Sequence, residues 1–97
     1  MARFIMLATF TDQGIAKAQD TIKRTENVKV MAKRAGVTMG ETYWTLGAVD
    51  VVAVLEAPDD ETMTAFSLSV AKLGNVRTQT LRAFTAAEML KVLEKMV

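Results

Sequence analysis

Ninety-seven residues can build one hydrophobic core but not two, so the chain reads as a single domain over residues 1–97. Neither cysteine nor histidine occurs, which excludes disulfides, thiolate metal sites, thiol nucleophiles, imidazole catalysis and histidine-ligated haem. A net charge of +1 lacks the basic excess of a nucleic-acid binder, and 51% apolar residues are more than so small a core readily hides.

Residues 3–10, Arg-Phe-Ile-Met-Leu-Ala-Thr-Phe, form a short apolar run that predicts a buried central strand. The apolar stretch Phe4 to Phe10 is too short to span a bilayer and lacks a signal-peptide cleavage site, so a cytoplasmic protein without membrane contact is expected. Thr11-Asp12-Gln13-Gly14 supplies helix N-caps. Ile15, Ala18, Ile22, Val28, Met31 and Ala35 then recur at helical spacings, and Gly36 closes the amphipathic helix they predict.

The β-rich stretch 37–46 and the segment Asp50 to Glu56 predict a hairpin turning at Gly47-Ala48. Pro58, Asp59, Asp60 and Glu61 open a second helix, whose stripe is Met63, Phe66, Val70 and Leu73 and whose stop is Gly74. Val76 to Phe84 predicts a fourth strand, and Thr85-Ala86-Ala87-Glu88 is a capping box opening a last helix to about Met96. The order β-α-β-β-α-β-α predicts an α+β, ferredoxin-like βαββαβ sandwich with an extra C-terminal helix.

Two helices cover one face of such a sheet. The hairpin pairing sends Thr42, Trp44, Leu46, Val49, Val51, Ala53 and Leu55 to the helix side. Tyr43, Thr45, Asp50, Val52, Val54 and Glu56 share the other, mixed face. The first strand is apolar on both faces, which implies cover on both, and a second copy of the chain is the expected cover.

Tyr43-Trp44-Thr45-Leu46-Gly47, Asp50-Val51-Val52 and Glu56-Ala57-Pro58-Asp59-Asp60 resemble the GYD-domain family. So do Thr11-Asp12-Gln13-Gly14 and the run Leu73-Gly74-Asn75-Val76-Arg77-Thr78 through Phe84, and the resemblance covers nearly the whole chain. It implies a dimeric α/β-barrel with two sheets packed face to face, and it implies no particular reaction. At the tyrosine of the family's glycine, tyrosine, aspartate signature this chain has Val49, although Gly47 and Asp50 remain.

The candidate site residues each carry two readings. Asp50 is either a proton acceptor or ligand anchor in an inter-sheet pocket, or else a turn cap or arginine partner, the commoner role for an aspartate so placed. Asn75 and Arg77 either grip an anionic ligand or complete a helix cap and an intersubunit ion pair. Arg82, Glu56 and Tyr43 either line one pocket or include a cross-strand pair, and Trp44 is expected in the core.

The functional expectation is a small-molecule-binding or stress-related homodimer with its pocket between the helix-free sheet faces. Tyr43, Thr45, Asp50, Glu56, Asn75, Arg77 and Arg82 are its expected ligand contacts, with no cofactor and no metal. One alternative is a cofactor-independent monooxygenase or isomerase in which Asp50, Tyr43 and Arg82 move protons. Another is a structural interaction module that binds other proteins.

Overall fold

The computed structural model describes residues 1–97. Its elements are β1 (Ala2–Phe10), α1 (Asp12–Ala16), a 3-10 turn at Ala18–Asp20, α2 (Thr21–Arg34), β2 (Thr38–Trp44), β3 (Val51–Ala57), α3 (Asp60–Lys72), β4 (Val76–Ala83) and α4 (Ala86–Glu94). The four strands form one sheet in the order β2-β3-β1-β4, antiparallel throughout. This is the ferredoxin-like arrangement, with α2 and α3 on one face.

Alternation along the strands sorts side chains between the faces. Phe4, Met6 and Ala8 of β1, with Ala53, Leu55 and Ala57 of β3, are buried on the helix side. Ala32 of α2, Val37, and Met63, Phe66 and Val70 of α3 close onto them, and no polar side chain is buried in this core. The core is small, ten residues in one cluster, and many large apolar side chains consequently remain exposed.

The hairpin register is as expected at Thr42↔Ala53, Tyr43↔Val52 and Trp44↔Val51. The turn is wider than two residues. The Thr45 N–H donates to the Asp50 carbonyl at 2.9 Å, and Leu46 between them is fully exposed instead of packing on the helix side. Gly47 takes φ +116, as its place in the turn requires. β2, an edge strand, carries an irregularity between Met39 and Thr42, the kind of bulge that blunts an edge against further pairing.

The expected single first helix is broken. α1 ends at Ala16, and the Arg24 guanidinium donates through Nη2 to the carbonyls of Gly14, at 3.0 Å, and Lys17. Those carbonyls thus have a side-chain partner where the helical ladder stops. The break leaves Ile15 and Ile22, assigned to the apolar stripe, more than half exposed. Trp44 lies on the helix side but at its margin, 43% exposed, with its indole N–H donating to Thr21 Oγ1 at 3.0 Å.

α3 and α4 begin as their acidic caps dictate. The Asp59 carboxylate accepts from the Thr62 N–H at 2.7 Å, and Thr85 and Glu88 form a reciprocal capping box. α4 packs no residue into the core. The longest dimension of the molecule is 49 Å and the radius of gyration is 14.5 Å, against about 12.5 Å for a compact chain of this length.

Candidate functional site: the helix-free sheet face

The register defines the face that no helix covers. One row across the sheet is Val54–Ile5–Leu81, and the next is Tyr43–Val52–Leu7–Gln79. Thr38, Glu56, Arg3 and Ala83 bound these rows at one end, and Thr9 and Arg77 at the other. Five aliphatic side chains on three adjacent strands therefore meet in a strip with polar groups around it. An apolar centre with a polar rim is the anatomy of a protein interface.

The rim is partly self-satisfied. Arg3 Nη2 donates to Glu56 Oε1 at 3.0 Å, with both side chains about 40% exposed, so the pair contributes little to stability. The Tyr43 hydroxyl donates to the Glu41 carboxylate. That hydrogen bond and the adjacent negative charge push the phenol above its ordinary value of 10.0.

The seven expected ligand contacts do not converge. Tyr43, Glu56 and Arg77 lie on the helix-free face by register, although Arg77 also borders a groove between α3 and β4. Arg82 pairs with Phe4 and so sits on the helix side, stacked over the rings of Phe4 and Phe84 at 5.6 and 4.6 Å. Its place on β4 is three strand spacings from Tyr43 on β2, about 14 Å. Within one chain, the expected pocket of Arg82, Glu56 and Tyr43 is not formed.

Asp50 and Thr45 are held in the β2–β3 turn. Asp50 Oδ2 accepts from the Phe10 N–H at 2.8 Å, and the Asp50 N–H donates to the Ala8 carbonyl at 2.9 Å. The carboxylate thus extends the β1–β3 ladder past the last strand pair. Thr45 Oγ1 donates to the Val49 carbonyl at 2.7 Å, a bond that needs only the backbone of Val49.

Asn75 joins two segments singled out in the sequence. The Thr11 N–H donates to the Asn75 carbonyl at 3.1 Å, and Gln13 Nε2 donates to Asn75 Oδ1 at 2.9 Å and to the Leu73 carbonyl at 3.1 Å. Thr11 Oγ1 donates to the Gly74 carbonyl. Gly14 is buried against Asn75 so closely that an added Cβ would lie 1.9 Å from its carbonyl oxygen. Thr11-Asp12-Gln13-Gly14 and Leu73-Gly74-Asn75 are therefore two halves of one clasp at the end of the sheet.

Sequence reasoning missed α4 as part of the exposed surface. Met89, Val92, Leu93 and Met96 recur at i, i+3, i+4 and i+7, and all are exposed, as are Leu90 and Phe84. A nine-residue helix is marginal in water without packing. The signal was present in the spacing, but nothing local says that the core leaves this helix uncovered.

Comparison with known proteins agrees with this architecture. The chain is similar to a Thermus thermophilus protein described as "Glutamine synthetase and cystathionine beta-lyase binding protein", with 35% identity over 94 residues, spanning 93% of this chain and 96% of that one. A solved structure, "De novo designed protein Foldit4", shares the fold at a TM-score of 0.54 and 14% identity, covering 87% of this chain and 96% of its own. The GYD domain family model matches residues 4–93, the clasp and the helix-free face included, and the chain belongs to that family.

Proposed function

We propose that this protein is an interaction module that pairs with a copy of itself through the helix-free sheet face and binds other proteins. The observation that carries the reading is the strip of Ile5, Leu7, Val52, Val54 and Leu81, which is apolar, flanked by polar groups, half-buried or exposed, and on the face opposite the helix-packed core. A chain with a ten-residue core gains stability by burying such a strip, and a self-complementary face is the simplest way to do so. The exposed apolar stripe of α4 then offers a further surface for the same or a different protein.

The name of the Thermus relative supplies the first partners to try. Glutamine synthetase and cystathionine β-lyase from the same cells, each immobilised, are expected to retain the purified protein with saturable kinetics. Leu93→Glu, which charges the α4 stripe without touching the core, should weaken retention. Neither enzyme retaining the protein at tens of micromolar would contradict this choice of partners.

A small organic molecule held between two paired faces is the second reading. It is favoured by the charged side chains Glu56 and Arg77 at opposite ends of the strip, where they would flank such a ligand. Native mass spectrometry of protein taken directly from its producing cells should then show a dimer with an adduct. A bare dimer would contradict a resident ligand there.

A further inference from the structure

A second cavity lies on the opposite side of the sheet. It encloses about 320 Å³ between the sheet, α2 and the end of α3, near the lower end of the roughly 300–1,000 Å³ typical of small-molecule sites. Met6, Ala53, Val28 and Val70 give it apolar walls. None of its lining residues is acidic, and Arg24 is the one charged residue among them.

Thr42 and Arg24 on this lining have unused bonding capacity. Thr42 Oγ1 is shielded from solvent and has no hydrogen-bond partner, a costly state for a hydroxyl and one that a ligand acceptor or donor would relieve. Arg24 uses Nη2 for the carbonyls of Gly14 and Lys17, and its guanidinium stands 5.9 Å from the Phe10 ring. Its Nη1 and Nε make no hydrogen bond within the chain, and its charge has no carboxylate partner, the one ion pair being Arg3–Glu56. The guanidinium is thus anchored by one nitrogen while its remaining donors are free.

The geometry points to a binding site for a small amphipathic monocarboxylate in this cavity, its apolar body against Met6, Ala53 and Val70 and its carboxylate on Arg24. With Nη2 held by the two carbonyls, Nη1 offers a carboxylate one charge-assisted hydrogen bond, and an apolar cavity without acidic groups rejects a cation. Thr42 supplies a hydrogen bond farther along the sheet. The site is complete within one chain and does not depend on the interaction reading, so the two stand or fall separately.

The test uses three probes with the same eight-carbon tail, octanoate, 1-octanol and octylamine, each below its aggregation limit. Titration calorimetry with the wild-type protein is expected to show saturable octanoate binding, with 1-octanol at least about tenfold weaker, the size of one charge-assisted contact, and octylamine weaker still. Amide NMR shifts should fall on β1, β2 and α2 around Arg24 and Thr42. Arg24→Gln should erase the preference for octanoate over octanol, and Thr42→Val, which keeps side-chain shape but removes an unpaired hydroxyl that a saturated tail cannot satisfy, should bind octanoate at least as tightly as the wild type. Equal binding of octanoate and octanol, shifts confined to the helix-free face, or no saturable binding would each overturn the proposal, and these readouts need no variant.

Discussion

At Gly14 the absence of one methyl group lets two distant segments touch. A Cβ there would stand 1.9 Å from the Asn75 carbonyl oxygen, which is backbone and has little freedom to yield. Gly14→Ala is expected to destabilise the fold by about 3 kcal/mol, at the upper end for overpacking, and chemical denaturation checks it directly. Asp50 also ties distant segments together, because its carboxylate accepts the Phe10 N–H at 2.8 Å. Asp50→Ala should cost about 1.5–3 kcal/mol, the range for a hydrogen bond to a charged group, and a midpoint unchanged in urea would refute the role assigned to it. The position of Asp50 beside the turn suggests a turn cap or an arginine partner, and its partner is instead the Phe10 N–H of β1. The clasp was not legible either, since the contact between Gly14 and Asn75 is made only when the sheet assembles.

The helices and strands were largely legible as elements because their boundaries carry local chemistry. Asp59, Gly74 and the Thr85–Glu88 box act where they stand in the sequence. What failed was set by distant partners. The first helix divides because Arg24 captures the carbonyls of Gly14 and Lys17, and periodicity in Ile15, Ile22 and Val28 is blind to that capture. The face of β4 was equally hidden. Val76 to Phe84 has polar and apolar residues on both faces, so only its register against β1 sends Arg82 to the helix side and Arg77 to the other. The candidate pocket mixed the two faces for this reason.

The caps also set a pH dependence at the scale of the helix. The Thr62 backbone N–H holds the Asp59 carboxyl below its ordinary 3.8, and the Thr85 backbone N–H holds that of Glu88 below 4.5. Carboxyls depressed in the folded state stabilise it fully above their unfolded values, and that contribution is lost as pH falls through those values toward the folded ones. Stability should therefore decline below about pH 4. Asn at 59 and Gln at 88 keep neutral caps, so Asp59→Asn with Glu88→Gln should flatten the decline between about pH 5 and pH 3. Urea midpoints across that range check it, and an unaltered slope would assign the decline to other carboxylates.

On the scale of the whole molecule, the helix-covered and helix-free sides of the sheet make different demands. The helix side is closed by ten buried apolar residues and holds a cavity, whereas the other side leaves five aliphatic side chains in two adjacent rows outside that core. α4 buries none of its residues, and its exposed apolar stripe is open to a second copy or another protein. No helix is long and apolar enough to cross a membrane, so a bilayer-spanning helix does not account for this surface. Pairing two copies through the sheet does account for it, and it predicts a protein whose stability rises with its own concentration.

Sedimentation equilibrium of the wild-type protein and of Ile5→Asp is the most direct measurement of that pairing. Ile5 stands at the centre of the strip, between Val54 and Leu81, outside the buried core. The wild type should sediment at twice the 10.6 kDa chain mass at micromolar concentration, and Ile5→Asp should sediment as a folded monomer. A wild-type protein that remains monomeric at hundreds of micromolar, or an Ile5→Asp variant that pairs as well as the parent, would contradict self-association through the helix-free face.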